Sequence, residues 1–234
     1  MTPVCFDFET LTFSPGFMAP PPVCASIYHP RHGAQLFCTQ DIPAVLERVL
    51  DDPAPLLMHG GAYDACCWLE WYPELKRKLF AKYDADAVLD TIETERIIEI
   101  STGDKRGRLA LDLMAKRYGV HVVKSYVRTD FGRYYNRPLS EYTPEHVRYA
   151  CGDTAELHTL HERQEQRVIV SRKDVSDLCR GSFWLRLSSN WGVRTDPARV
   201  AGLERATQDE IDVLTQFAQN VDNDGNPLPY GTAF

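Results

Sequence analysis

The sequence lacks the features of a membrane-bound or a secreted protein. No apolar run approaches the roughly 18 residues that a spanning helix needs, and the N-terminus carries no cationic, apolar signal segment. The expected location is therefore cytoplasmic, and no membrane partner is expected. A basic excess is also missing. The net charge of −7 disfavours binding of long duplex nucleic acid by counterion release, although metal ions can supply positive charge in a small cleft.

Paired cysteine motifs are absent as well. The seven cysteines are odd in number and scattered without C-x-x-C spacing, which argues against a disulfide framework and a zinc site. We expect reduced, mostly buried thiols. The 234 residues, 44% of them hydrophobic, suffice for one large domain, or for one domain plus an appendage.

What the sequence does contain is a run of short apolar segments followed by alternating apolar and amphipathic ones. Strands are predicted over 4–8, 23–28, 34–38 and 55–58. Helices are predicted over 41–50, 62–71, 87–100, 109–118, 144–168, 174–187 and 196–218. This succession indicates an α/β fold whose sheet has a mixed edge.

Two acids interrupt the first apolar segment. Asp7 and Glu9 are two residues apart, so in a strand both carboxylates project from one face. Two carboxylates that close favour a divalent cation, which removes their repulsion and desolvation. An edge strand with both acids facing solvent explains the pair equally well.

Two further acid-bearing segments follow. Asp64 lies at a predicted strand-to-helix junction, and Tyr149 and Asp153 lie four residues apart on one face of a predicted helix. Taken singly, each has a more ordinary explanation. Asp64 is then a residue that compensates the helix dipole, and Tyr149 a core residue.

Together, Asp7-x-Glu9, Tyr63-Asp64 and Tyr149-x-x-x-Asp153 resemble the three motifs of the DEDD exonuclease superfamily in its tyrosine subgroup, over about residues 3–165. The resemblance implies a ribonuclease H-like mixed β-sheet flanked by helices. Residues 180–185 and 190–197 resemble the passage of family A DNA polymerases, nearest to those of bacteriophages, where the proofreading domain leads into the thumb. If the protein is phage-encoded, the expected cytoplasm is that of a bacterial host cell. We therefore expect a 3′-5′ exonuclease domain over 1–170, a C-terminal helical appendage over 171–220 and a flexible tail over 221–234.

This resemblance also implies the chemistry. Two divalent ions, Mg²⁺ or Mn²⁺, would be held by Asp7, Glu9, Asp64 and Asp153, with Asp7 bridging both. Hard cations prefer carboxylate oxygens, and two of them about 4 Å apart stabilise charge on a phosphodiester and lower the pKa of an attacking water. Tyr149 would orient that water, because a phenol is a poor general base at neutral pH.

Residues near the motifs are candidates for substrate binding: Thr10, Leu11, His59, Tyr63, Lys124, Arg128 and Arg133. A satisfied structural role explains His59 at least as well. The basic and aromatic stretch 124–137 either binds a frayed strand or packs its rings on the core. Phe13, Phe17 and Met18 are wedge candidates, with an ordinary loop anchor as the safer interpretation. Trp184 and Trp191 are expected to pack the appendage on the sheet.

The sequence departs from the superfamily at one position. Family members commonly carry Asn four residues before the second-motif Asp, and here that residue is Gly60. Its absence leaves the metal ligands intact and puts the grip on the terminal nucleotide in doubt.

The leading hypothesis is a metal-dependent 3′-5′ exonuclease that acts on single-stranded DNA or a frayed primer 3′ end, as the proofreading module of a family A polymerase. The polymerase would be an absent domain or subunit, because nothing here has the length for palm and fingers. The alternatives are a catalytically weak DNA-binding or structural module and an RNase D-like exoribonuclease.

Overall fold

Five strands form one mixed sheet in this computed structural model. They are β1 (Val4–Thr10), β2 (Pro22–His29), β3 (Gly33–Cys38), β4 (Leu56–Met58) and β5 (Val88–Asp90). Their spatial order is β3-β2-β1-β4-β5, antiparallel from β3 to β1 and parallel from β1 to β5. The expected α/β fold with a mixed sheet is confirmed. The structure describes residues 2–12, 19–103, 107–120, 126–167, 171–192 and 196–219.

Eight α-helices accompany the sheet in the described residues. They are α1 (Ile42–Asp51), α2 (Ala62–Trp71), α3 (Lys76–Asp84), α4 (Thr91–Thr102), α5 (Leu111–Arg117), α6 (Pro144–Glu165), α7 (Arg172–Trp191) and α8 (Pro197–Gln219). The chain divides into two compact units, Met1–Trp191 and Gly192–Phe234. Helix α7 belongs to the first unit, where it packs against α2 and β5, and α8 belongs to the second. None of the described helices is long and apolar enough to cross a membrane.

The two faces of β1 have different surroundings. Phe6 and Phe8 pack against the buried Trp68 of α2, with ring centroids 5.0 and 6.2 Å from the indole. Helix α6 packs on β1, β2 and β3 and covers the face that carries the acids. Because β1 is the central strand of the sheet, the alternative of an edge strand with solvent-facing acids is wrong.

One predicted helix was too long. The segment 87–100 divides into the buried strand β5 and helix α4, which begins after Asp90 accepts a hydrogen bond from the backbone N–H of Ile92 as its N-cap. Three residues are too few to show a strand period, and only pairing with β4 identifies them as strand. Helix α3 was not predicted, because its sequence is mostly polar and buries only Leu79, Lys82 and Tyr83.

Buried side chains agree with the expected redox state but not with every predicted contact. All seven cysteines are free thiols and six of them are buried. Trp184 is half-exposed and lies 5.8 Å, centroid to centroid, from Phe80. Trp191 is 73% exposed, so its predicted packing role is wrong.

The close approach of the second glycine in Gly60-Gly61 to β4 predicts a stability defect. A Cβ at Gly61 would lie 2.6 Å from the Cβ and Cε atoms of Met58, so Gly61→Ala should lower the free energy of unfolding by about 1–3 kcal/mol. Urea denaturation measures this. Gly181→Ala is the matched control, because its Cβ meets nothing within 4 Å and alanine favours a helix by about 1 kcal/mol. Equal effects of the two substitutions would contradict the steric explanation.

Candidate metal centre

Three carboxylates from two distant segments meet where α6 crosses β1. Asp7, Glu9 and Asp153 each offer an oxygen atom, and these three atoms lie within 4.8 Å of one another. All three side chains are half-buried. Strand alternation places Asp7 and Glu9 on one face, and α6 brings Asp153 to that face. The donor set is entirely carboxylate oxygen, which suits a hard divalent cation.

Asp64 lies beside this cluster but is buried more deeply, at 3% exposed. Its Oδ1 accepts a hydrogen bond of 3.2 Å from the backbone N–H of Phe8, in the strand residue between Asp7 and Glu9. Strand β4 ends at Met58 and does not extend alongside Phe8. The Asp64 side chain therefore accepts from the Phe8 N–H in place of a β4 carbonyl. Burial raises the pKa of Asp64 well above its usual value, and the Asp7 carboxylate adds to that rise. A cation would reverse both effects, since it favours the ionised form.

The turn before α2 is held by a carboxylate that sequence reasoning missed. Asp90 accepts hydrogen bonds from the backbone N–H groups of Gly60 and Gly61, at 3.1 and 2.7 Å, and from that of Ile92. Burial raises the pKa of Asp90 to about 6, and these donors oppose the rise. Asp90 therefore joins the end of β5 to the turn that places Asp64. Its signal in the sequence is an Asp directly before a helix start, which is common enough in helix caps to carry no functional meaning alone.

Gly60 occupies a backbone conformation that glycine accepts without strain. Its φ angle is +69°, and a Cβ at this position would lie 3.5 Å from Cδ1 of Ile92, an ordinary contact. Asn is one of the few other residues that tolerate this region. The residue expected from the superfamily thus fits the space around Gly60.

His59 makes a structural contact. Its Nδ1 atom lies 2.8 Å from Oγ1 of Thr91 at the start of α4. Burial lowers the pKa of His59 to about 4, and the Leu109 backbone and the Asp112 carboxylate offset only part of this. The imidazole is therefore neutral at physiological pH, and the contact favours the satisfied structural histidine over a phosphate ligand.

Tyr149 stands one helical turn before Asp153 on the same face of α6. It is half-buried, with its ring 6.0 Å from that of Phe131. A second tyrosine borders the cluster from α2: the Tyr63 hydroxyl and Oγ1 of Thr10 are 2.7 Å apart. This hydrogen bond ties the end of β1 to α2 next to Asp64.

The other predicted substrate residues have mixed outcomes. Leu11 packs with a buried cluster around Phe131. Arg133 is half-exposed, and its guanidinium Nη1 lies 2.8 Å from Oδ2 of Asp130. Phe131 and Tyr134 are buried, so in the described part of 124–137 these rings pack on the core instead of facing a strand. The following residues lie outside the described residues: Phe13, Phe17, Met18, Lys124 and the side chain of Arg128.

Comparison with known proteins shows similarity at the level of the fold. No protein-family model matches the chain, and no curated protein sequence matches it either. A solved structure of Escherichia coli RNase D, described as an exoribonuclease involved in structured RNA processing, superimposes with a TM-score of 0.57 and 18% sequence identity. The match covers 80% of this chain and 45% of the RNase D chain. The expected ribonuclease H-like fold is thereby confirmed, and this chain spans less than half of the enzyme it resembles.

The repulsion within the carboxylate cluster predicts how a metal ion changes stability. In EDTA, Asp7→Asn should raise Tm by about 2–4 °C, or about 1 kcal/mol, because it removes a like charge beside Asp64. Mn²⁺ or Mg²⁺ should raise Tm of the unmodified protein and leave Asp7→Asn almost unchanged. Differential scanning calorimetry measures both. Asp84→Asn, at an exposed acid on α3, should keep the full metal response. An equal response in the two variants would show that the ions bind elsewhere.

Proposed function

We propose that this protein is a metal-dependent 3′-5′ exonuclease that hydrolyses single-stranded or frayed DNA ends to nucleoside 5′-monophosphates. The observation that carries the proposal is the meeting of Asp7, Glu9 and Asp153 within 4.8 Å. These residues come from segments far apart in the sequence. Without a cation, the repulsion between three neighbouring carboxylates costs folding free energy. The ribonuclease H-like fold supports the same reaction class.

The chain's own residues have distinct roles in this proposal. Asp7, Glu9 and Asp153 would hold one cation, and Asp64 would complete a second position beside Asp7. When bound, such ions neutralise the phosphate and lower the pKa of a water molecule. Tyr149 would orient the attacking water through its hydroxyl. Asp90 acts through the turn at Gly60 and is a positioning residue.

Two substrate classes, DNA and RNA, are compatible with this proposal. DNA is the leading candidate because residues 180–185 and 190–197 resemble the proofreading-to-thumb passage of family A polymerases. RNA is the second candidate, and the fold of RNase D favours it. A non-catalytic role in a polymerase is less compatible with the clustered acids, because their repulsion would lower the stability of a purely structural domain.

The catalytic claim is tested with 5′-labelled single-stranded DNA in Mg²⁺ or Mn²⁺. Asp7→Ala combined with Glu9→Ala should abolish hydrolysis, and Tyr149→Phe should lower kcat by about 10². The change in Tm on metal addition should survive in Tyr149→Phe. Asp84→Ala is the control and should keep full activity. Degradation by the unmodified protein that is no faster than by the double variant would refute an exonuclease.

Substrate preference is tested by competition between labelled DNA and RNA of one sequence in a single reaction. The polymerase-type hypothesis predicts a higher kcat/KM for DNA. Since discrimination requires a group that reads the 2′-hydroxyl, equal rates would mean that this site reads none. Faster loss of the RNA would replace the leading candidate with an exoribonuclease.

A further inference from the structure

A cavity of about 420 Å³ opens at the N-terminus of α6, apart from the carboxylate cluster. Its lining residues are Asp130, Arg133, Thr143, Pro144, Glu145, His146 and Arg148. The N-terminus of a helix this long carries the positive end of the helix dipole, and Thr143 caps it by accepting from the backbone N–H of His146. Two guanidinium groups, of Arg133 and Arg148, add charged donors to the same cavity.

The imidazole of His146 is a buried group of this cavity with one nitrogen that lacks a hydrogen-bond partner among the described residues. The side chain is 2% exposed, and its Nε2 atom has no hydrogen-bond partner among the described residues. Oδ2 of Asp130 lies 3.8 Å from Nε2, beyond hydrogen-bond distance. A buried polar atom without a partner is rare in folded proteins, and it indicates a ligand or an ordered water.

The surrounding hydrogen bonds determine which ring nitrogen of His146 carries the proton. The Tyr134 hydroxyl oxygen accepts from Nη2 of Arg133 at 2.6 Å and from the backbone N–H of Thr143 at 3.3 Å. With both lone pairs engaged, its proton is directed to Nδ1 of His146, 3.3 Å away. Oγ1 of Thr143 lies closer to Nδ1, at 2.7 Å, and it accepts from the backbone N–H of His146 at 3.5 Å, so its own proton is also directed to Nδ1. Nδ1 is therefore assigned as an acceptor, which places the ring proton on Nε2.

The charge of the ring is consistent with this assignment. Burial and the Arg133 guanidinium lower the pKa of His146, while the Asp130 and Glu145 carboxylates oppose that shift. The ring is thus neutral, with Nε2–H as an unpaired donor at the cavity. Asp130 is already paired with Arg133 at 2.8 Å.

We propose that this cavity binds a phosphodiester group of the nucleic-acid strand, through Nε2–H of His146, the Arg148 guanidinium and the α6 N-terminus. The inference rests on the proposed function for its substrate class. His146, Tyr149 and Asp153 are spaced i, i+3 and i+7 and so share one face of α6. At 1.5 Å per residue, His146 stands about 10 Å along the helix from Asp153. That span is comparable to one or two nucleotides of an extended strand, so the bound phosphate is internal to the scissile one.

The test measures binding in EDTA, where no hydrolysis occurs, so it is independent of catalysis. The probes are fluorescent single-stranded oligonucleotides, each with one neutral methylphosphonate linkage at a different distance from the 3′ end. A methylphosphonate at one internal position should weaken binding to the unmodified protein about tenfold, because a charge-assisted contact is lost. Arg148→Gln should weaken binding of the unmodified strand by a similar factor and remove the effect of position.

The sign of the charge effect supplies the matched control. Glu145→Gln removes a carboxylate from the same cavity wall and should tighten binding, opposite to Arg148→Gln. If Glu145→Gln weakens binding and Arg148→Gln tightens it, the ligand is a cation and the proposal is wrong. If neither variant changes binding, or the effect of position persists in Arg148→Gln, the strand does not use this cavity.

Imidazole nitrogen NMR adds a measurement that needs no substitution of the buried ring. His146 should show the neutral Nε2–H form, and its Nε2 resonance should shift when the strand binds but not with inorganic phosphate alone at equal concentration. A shift with inorganic phosphate and none with the strand would make this a free-anion site and overturn the assignment to the strand. If the unmodified protein does not hydrolyse the strand in Mg²⁺ but shows the predicted effects on oligonucleotide binding, only the exonuclease function is refuted.

Discussion

Repulsion between carboxylates at the centre of the sheet governs the stability and the chemistry of the candidate site. Asp7 and Glu9 occupy the middle strand, where both side chains are half-buried. Asp153 on α6 adds a third carboxylate beside them, and the Asp7 carboxylate contributes to the raised pKa of the buried Asp64 on α2. A fold that places acids in this way is stable when a divalent cation neutralises them, so the same residues that weaken the metal-free protein define its proposed chemistry.

The apolar side of β1 makes this arrangement tolerable. Phe6 and Phe8 alternate with the acids and pack against Trp68, so burial on one face offsets strain on the other. The acids themselves are held by backbone contacts: Phe8 donates to Asp64, and Asp90 anchors the turn at Gly60 and Gly61. Stability and site geometry thus come from the same short segments.

Helix α6 links the two proposed binding regions of the first unit. Its residues at positions 146, 149 and 153 share a face, which carries in order an unpaired imidazole donor, a phenol and a carboxylate of the acidic cluster. One end of this face meets the carboxylates of β1, and the other lies at the donor-lined cavity. A strand bound along α6 would therefore meet cation charge at its scissile phosphate and fixed donors at an internal one. Local cations and fixed donors would attract phosphate groups to this site even though the protein carries a net charge of −7.

Local periodicity in the sequence is enough to predict the alternation that pairs Asp7 with Glu9, the helical spacing of Tyr149 and Asp153, and the α/β fold. It did not reveal β5, since three residues show no period, nor the role of Asp90, whose sequence context is that of an ordinary helix cap. Only the tertiary structure decided that β1 is central and not an edge, because strand order depends on long-range pairing. The unpaired Nε2 of His146 is likewise a property of the folded protein, since it arises from the contacts of Tyr134 and Thr143 around one buried ring.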